Sequence, residues 1–294
     1  MQVLVVGGTG FIGQATCRAL VDAGHDVAAF ARNPAEADLP ASVERVAGDV
    51  RNADDVVAAV EGRDAVYNLV ALSPLFKPSG GYDQHFAVHV GGTENVVAAC
   101  EKHDVDRLVQ MSALGADPDG DTAYIASKGR AEEVVAEGDV PWTVIRPSVV
   151  FGEGGEFVSF VKRLTTPYVT ALPGGGKTRF QPIWVEDIAG VLADALDARH
   201  EGGVYELGGP EVLTLADVTR LVYEAEGKSV TVLSVPMPLA AVGLEIAGSV
   251  PFLPFGGDQA RSLRMDNTVT ENDVTAFDRD VDDLRTLADY LQSI

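Results

Sequence analysis

The sequence predicts an α/β fold, a doubly wound parallel sheet carrying a small cap built from late segments. Three observations predict it. Through the first two-thirds of the chain, short β-branched runs alternate with segments of helical period, the rhythm of parallel strands linked by crossover helices. A glycine-rich turn, Gly7-Gly8-Thr9-Gly10, joins the first of these runs to the first helical segment. The alternation stops at Arg146-Pro147, after which glycine and proline loops interrupt the chain.

Taken in order, strands are expected at Val3 to Val6, Asp26 to Phe30, Val43 to Val46, Ala65 to Leu69, Arg107 to Met111 and Trp142 to Ile145, each an apolar run bounded by turn residues. Helices should begin near Phe11, Ala53, Asp83 and Thr122; the first ends before Gly24, where glycine suits a left-handed cap. Beyond the loops at Gly152 to Gly155 and Pro173 to Gly176 come a helix from Val185 to Leu196, a strand at Val204 to Leu207, a helix from Leu215, a strand at Val230 to Leu233 and a final helix over Asp282 to Leu291. The expected organisation is one unit spanning 1–294. Its nucleotide-binding core covers 1–150 and its cap segments 151–294, with 181–210 returning to the core.

Composition narrows the function. Against 22 basic residues stand 44 acidic ones, a formal net charge of −22, well beyond the magnitude of about 2–8 suited to a small soluble domain. Only six of the bases are lysines, and the acids are spread along the chain. That pattern is expected of a surface adapted to high salt, where screening removes the self-repulsion. No basic stripe exists for a nucleic-acid backbone. Cys17 and Cys100 are too isolated for a disulfide framework or a zinc site, so no metal is expected and both read as inert helix residues. A strand follows Met1 directly and no run reaches the ~18 apolar residues of a spanning helix, so a cytoplasmic protein is expected. Val235 to Phe255 is apolar but broken by prolines, and reads as cap or docking surface.

The first turn carries the chemistry most plainly. In Gly7-Gly8-Thr9-Gly10-Phe11-Ile12-Gly13, a strand leads into a helix through three framework glycines. Gly7 permits the tight turn, Gly10 lets backbone approach a pyrophosphate, and Gly13 lets the helix pack on the sheet, while the helix amino terminus offers N–H groups to the phosphates. This is a dinucleotide-binding fingerprint. An acid at the end of the second strand would accept the ribose hydroxyls, yet Phe30-Ala31-Arg32-Asn33 offers a cation there. Arg32 can pair with a 2′-phosphate, which favours NADP(H) over NAD(H). Asp49 with Val50 after the third strand is placed to meet the adenine, and Val70 with Ala71 after the fourth to wall the same ring. Tyr124 and Lys128 stand four residues apart, on one face of one helix, where an ammonium would stabilise a phenolate and lower a pKa that starts near ~10.

At these positions the sequence resembles the short-chain dehydrogenase/reductase superfamily, in its extended or atypical branch of NAD-dependent epimerases and dehydratases. The likeness runs through Gly7 to Gly13, Gly48-Asp49-Val50, His89 to Asn95, Tyr124 to Lys128, Arg146-Pro147-Ser148 and Ile183 to Ala189. Within it, Met111 to Ala116 and Asp258 to Asn267 are similar to the group related to the 39 kDa NADPH-binding accessory subunit of respiratory complex I. The resemblance implies a Rossmann fold whose cofactor contacts come from Gly7, Thr9, Gly10, Phe11, Ile12, Gly13, Arg32, Asp49, Val50, Val70, Ala71, Tyr124 and Lys128. It implies Tyr124 as general acid/base, Lys128 as its electrostatic partner and Ser112 as the third catalytic member. The family's working hydroxyl usually lies one or two residues later, where this chain has Ala113 and Leu114; Thr122 is a candidate substitute. His89 stands where the family has Asn, and reads as a cofactor-side or core position. Two functions follow: an NADP(H)-binding oxidoreductase or epimerase/dehydratase acting on an unidentified hydroxyl or carbonyl substrate, or a non-catalytic NADPH-binding factor with a peripheral-membrane or respiratory-complex partner. Arg179, Arg261 and Arg264 are the only hints of an anionic substrate.

Overall fold

A computed structural model describes residues 1–236, 257–262 and 264–294. At its centre stand β1 (Gln2–Val6), β2 (Asp26–Ala31), β3 (Glu44–Ala47), β4 (Ala65–Asn68), β5 (Arg107–Met111) and β6 (Trp142–Pro147). Short strands follow at β7 (Val150–Phe151), β8 (Tyr168–Pro173), β9 (Arg179–Phe180) and β10 (Ile183–Trp184), then β11 (Val204–Leu207), β12 (Leu213–Thr214) and β13 (Val230–Val235). The sheet order is β3-β2-β1-β4-β5-β6-β11, every pairing parallel. A seventh strand thus joins the six expected from the first half. The order reverses between β1 and β4, and in open α/β sheets the crevice beyond the strand ends at such a reversal is where ligands bind.

Both faces of the sheet are covered, which is why its strands are apolar on both sides rather than alternating. Helix α1 (Phe11–Asp22) covers one face together with the helix Val185–Asp194. Their Cys17, Leu20, Ile188 and Leu192 pack on Val3, Val5 and Tyr67, and the Tyr67 hydroxyl donates to Leu192 O at 2.7 Å. On the other face, α2 (Ala53–Val60) and the segments Gly91–Lys102 and Ala123–Glu137 bury Val56, Val96 and Val135 against Leu4, Val6 and Val66.

The helix expected to begin near Asp83 is composite: α3 (Asp83–His85), a π-helical turn (Phe86–Val90), then α4 (Gly91–Lys102). It is followed by α5 (Ala123–Glu137), whose first turn is capped twice. Thr122 Oγ1 accepts from Ile125 N, and the Asp258 carboxylate accepts from Ala123 N at 2.9 Å.

The late segments build a separate apolar cluster. In it α6 (Phe157–Leu164), α7 (Val185–Asp194) through its flanking Trp184, and α8 (Leu215–Glu224) gather around Phe151, Phe160, Leu172, Val218 and Leu287. Strand β13 pairs parallel with β8 over its whole length. The final helix is shorter than expected. A 3₁₀ turn occupies Val281–Asp283, and the helix Leu287–Gln292 begins only after Thr286, whose Oγ1 accepts from Asp289 N. Most of Val235 to Phe255 lies outside the described residues.

Candidate active site

The glycine turn sits at the sheet's reversal point, and its glycines are enforced by contact. Gly7 is left-handed, with φ +85°, and a Cβ there would lie 3.0 Å from Val70 N. A Cβ on Gly13 would lie 2.2 Å from Gly7 O, so only glycine lets α1 start this close to the turn. Gly10 is the N-cap residue, and Gln14 N returns to its carbonyl at 2.9 Å. The N–H groups of Phe11, Ile12 and Gly13 therefore stand at the open helix end with no intrahelical acceptor. Those donors, the glycine surface and the wall at half-buried Val70 and exposed Ala71 fit a pyrophosphate-bridged dinucleotide. Gln14 Nε2 donates to Thr9 O and steadies the turn. The Phe11 ring points away from it: a Cβ on Gly155 would come within 2.9 Å of that ring, so the glycines at 152–155 seat it.

Beyond β2, Arg32 is exposed and makes no hydrogen bond or ion pair among the described residues. Asp49 is close enough to feel its charge, but the Asp49 carboxylate is gripped by Arg51 through Nε and Nη2. That fork, ahead of the other influences, draws the Asp49 pKa down to about 2. Val50 turns its side chain into the core, against Gly92, and its carbonyl accepts from Asn95 Nδ2 at 2.9 Å.

Tyr124 and Lys128 share one face of α5. Lys128 is buried, 1% exposed, and its ammonium donates to Met111 O at 2.9 Å. Burial pulls its pKa down to about 8, against a smaller upward pull from Glu132. Tyr124 is half-buried and its hydroxyl has no hydrogen-bond partner among the described residues. Burial raises the phenol above its ordinary value, opposite to the lowering the sequence suggests. The reason is that the same desolvation disfavours charge on both groups. Ser112 lies beside Met111 at the end of β5; its backbone N–H donates to Ile145 O, and its hydroxyl is buried with no partner among the described residues. Thr122 caps α5, its Oγ1 accepting from Ile125 N.

His89 holds the parts together from the π-helical turn. Its Nε2 accepts from Leu72 N at 2.9 Å, which leaves the proton on Nδ1, facing Ser127 Oγ at 2.8 Å; the Ser127 hydroxyl donates to Tyr124 O at 2.8 Å. Burial, then Lys128 and His85, keep this imidazole well below its ordinary pKa. It is a neutral clamp between the loop after β4 and the Tyr124 turn, in line with a core reading. Behind it, Asn68 donates to Thr93 and Gln110, and Gln110 donates to the same Met111 carbonyl that receives Lys128.

The sequence model of a family described as NAD(P)H-binding matches residues 7–199, from the first framework glycine through α7. The chain belongs to the NAD(P)H-binding family. It is 36% identical over 53% of its length to a 2-alkyl-3-oxoalkanoate reductase of Stenotrophomonas maltophilia, of which it covers 53%. It is 28% identical over 94% of its length to the mitochondrial NADH dehydrogenase 1 alpha subcomplex subunit 9 of Arabidopsis thaliana, covering 73% of it. It is also 30% identical over 59% of its length to the NADH-ubiquinone oxidoreductase 40 kDa subunit of Neurospora crassa, covering 45% of it. The chain thus spans about half the length of the first and third of these relatives. Among solved structures, a Thermus thermophilus UDP-glucose 4-epimerase in complex with NAD is similar at a TM-score of 0.67 and 25% identity, over 90% of this chain and 99% of that one. A Staphylococcus aureus nucleoside-diphosphate-sugar epimerase shares the fold at a TM-score of 0.73 and 19% identity, over 99% of this chain and all of the other. The short-chain dehydrogenase/reductase likeness and the doubly wound fold follow from these matches.

Within this NAD(P)H-binding fold, several residues at the site carried no sequence signal of their own. Gly129 is one: a Cβ there would strike Asp117 and Pro118 at 2.2 Å, so it lets the loop after β5 fold over α5 beside Lys128. Asp258 lies in a stretch that the resemblance marks, but its reach to the first turn of α5 from 135 residues away was not readable there. His85 is another without a signal, its ring edge-to-face with Tyr124 at 5.7 Å between centroids. Its only trace in the sequence is a spacing of four from His89. Arg179 and Arg261, expected as hints of an anionic substrate, are paired with Asp266 and Asp258. Both cysteines are buried and free, their thiols pushed up to about 12 by burial. Among the described residues no group of His, Cys, Asp or Glu is arranged to hold a metal, and no helix is long and apolar enough to cross a membrane.

Proposed function

We propose that this chain is an NADP(H)-dependent oxidoreductase of the short-chain dehydrogenase type, interconverting a hydroxyl and a carbonyl on a small organic substrate. The observation that carries this reading is Tyr124, whose hydroxyl has no partner among the described residues and stands one helical turn from the buried ammonium of Lys128. A phenol left unbonded by those residues is free to exchange a proton with a substrate oxygen. Lys128, anchored on Met111 O, holds positive charge where a phenolate would form. Ser112, whose hydroxyl is buried with no partner among the described residues, would orient the same substrate oxygen. When bound, the nicotinamide supplies the hydride. The N–H groups of Phe11 to Gly13 would hold its pyrophosphate, and Val70 and Ala71 its adenine. Relatives named as a 2-alkyl-3-oxoalkanoate reductase and as 3β-hydroxysteroid dehydrogenases support carbonyl or alcohol chemistry.

NADP(H) is preferred on this reading because Arg32 has no partner among the described residues and the Asp49 carboxylate beside it is held by Arg51. We also infer a high-salt setting, from the net charge of −22 and the scarcity of lysine. The competing reading, an NADPH-holding subunit of a respiratory complex, is favoured by the Arabidopsis relative, which matches 94% of the chain.

The test is NADPH oxidation at molar KCl against 2-alkyl-3-oxoalkanoates, 3-oxosteroids and quinones and, for epimerisation, which returns its hydride and leaves no net cofactor change, product analysis of UDP-sugars incubated with NADP⁺. The expected result is turnover of at least one class that falls ~100-fold or more in Tyr124→Phe while NADPH affinity holds. Turnover equal in Tyr124→Phe and wild type, or none with tight NADPH binding and a stoichiometric membrane partner, sinks the catalytic reading.

A further inference from the structure

Two loops leave the carboxyl end of the sheet side by side. β2 and β3 run parallel with Ala31 opposite Ala47, and Gly48 N donates to Ala31 O at 3.0 Å. Neighbouring strands lie about 4.8 Å apart, so Arg32, one residue past β2, and Asp49, two past β3, emerge from adjoining strand ends. The turn after β3 is fixed in place. A Cβ on Gly48 would come within 2.4 Å of the Phe30 ring, Asn52 N donates to Asp49 O at 2.9 Å, and Asp49 N donates to Asp55 Oδ2 at 2.9 Å.

Asp49 thus carries a carboxylate beside the residue expected to meet a 2′-phosphate, and Arg51 occupies that carboxylate. Arg51 Nε donates to Oδ1 at 3.0 Å and Nη2 to Oδ2 at 2.5 Å, while the Arg51 backbone N–H adds a bond to Oδ1 at 3.0 Å. Such a fork fixes geometry as well as charge. Without it, the Asp49 carboxylate would act twice against a phosphate. It would compete for the Arg32 guanidinium, whose charge it already feels, and it would repel the phosphate itself, which carries about −1.5 to −2 at neutral pH. The other acids of the two loops, Glu36, Asp38, Asp54 and Asp55, are the same with or without Arg51 and cancel from the comparison.

We propose that Arg51 is a cofactor-specificity residue acting through Asp49: by holding both oxygens of that carboxylate it leaves Arg32 free for the 2′-phosphate of NADP(H). Arg51 is a positioning residue and makes no contact of its own with the cofactor. The proposal rests on the NADP(H) reading of Arg32.

The test is binding alone. Kd values for NADPH and NADH are measured by titration calorimetry on the full chain as wild type, Arg51→Ala, Asp49→Asn and the double variant, with circular dichroism reading the fold of each. The Arg51 side chain is 45% exposed, so the fold should survive its loss. Arg107→Ala, at the opposite end of the strands, removes one positive charge as a control. At about 0.3 M KCl the NADPH preference, the NADH Kd divided by the NADPH Kd, should fall ~10-fold in Arg51→Ala, and by less at about 2 M, where screening is stronger. Adding Asp49→Asn to Arg51→Ala should restore it, and Arg107→Ala should keep the wild-type value. A preference unchanged in Arg51→Ala overturns the proposal. So does a loss that Asp49→Asn does not recover, which would mean direct contact of Arg51 with the phosphate, or an equal loss in Arg107→Ala. Wild type with no preference for NADPH removes the NADP(H) reading and this inference together, whereas a wild-type preference that survives Arg51→Ala removes this inference alone.

Discussion

Lys128 concentrates the electrostatics of the site. A lysine that titrates near 10.5 when unfolded has its folded pKa lowered to about 8 by burial. Below pH 8 the folded chain carries a buried ammonium and the full penalty is present. Between 8 and 10.5 the unfolded chain holds a proton that the folded one has released, so stability rises with pH. Lys128→Met should therefore gain on wild type most below pH 8, the pH-dependent part being about 3 kcal/mol, and that gain should fade towards pH 10.5. Denaturant melts of both proteins from pH 6 to 10.5 check this, and a constant difference would count against a buried lysine. At the other end of the site, Arg32→Ala should weaken NADPH ~10- to 100-fold, the worth of a charge-assisted hydrogen bond, and leave NADH unchanged. Titration calorimetry with both cofactors decides it; equal losses would remove the 2′-phosphate role. Arg32 could be proposed from the sequence because it follows β2, where a dinucleotide-binding unit meets the ribose. The contact of His85 with Tyr124 could not, since it depends on α3 and α5 meeting, and no spacing along the sequence encodes that meeting.

At the scale of elements, contact rather than propensity dictates the first turn. Gly13→Ala places a Cβ on Gly7 O at 2.2 Å, so α1 must shift away from the turn. The expected outcome is a loss of about 1–3 kcal/mol in stability and of dinucleotide binding, read by chemical denaturation and cofactor titration. Wild-type binding by that variant would mean the turn does not need its close approach. Strands β1 to β6 and α1 were readable because apolar period and turn residues agreed there. The run from Asp83 to Lys102 was only half readable: its start was visible, but the π-helical turn at Phe86–Val90 adds a residue to the cycle and moves every later side chain to a new face. That shift brings His89 to bear on Leu72 and Ser127. The last helix was misjudged for the opposite reason. Its acidic run, Asp280 to Asp283, favours tight turns, and Thr286 supplies a cap that starts the helix late.

For the whole molecule, the net charge of −22 sets the conditions under which everything else is measured. Ion pairs such as Arg18 with Glu186 and Arg107 with Glu201 tie distant segments together, but the acids outnumber the bases twofold and repulsion dominates. Raising KCl from 0.1 M to 2 M should raise the thermal midpoint, because screening weakens repulsion more than it weakens packed contacts. A midpoint that falls over that range would contradict the salt-adapted reading. The fold class was legible at this scale from alternation alone. The pairing of β13 with β8 was not, because it joins segments separated by sixty residues of unrelated pattern.

The central claim is that Tyr124 moves a proton while hydride passes from NADPH to a substrate carbon. The direct measurement is a single turnover of wild type and Tyr124→Phe with NADPH deuterated at the transferring C4 position and a 2-alkyl-3-oxoalkanoate, the product analysed by mass spectrometry. The account predicts a deuterated 3-hydroxy product from wild type and, from a Tyr124→Phe protein that binds NADPH as tightly, at most ~1% of that rate. Deuterium transfer at equal rates from both proteins would contradict it.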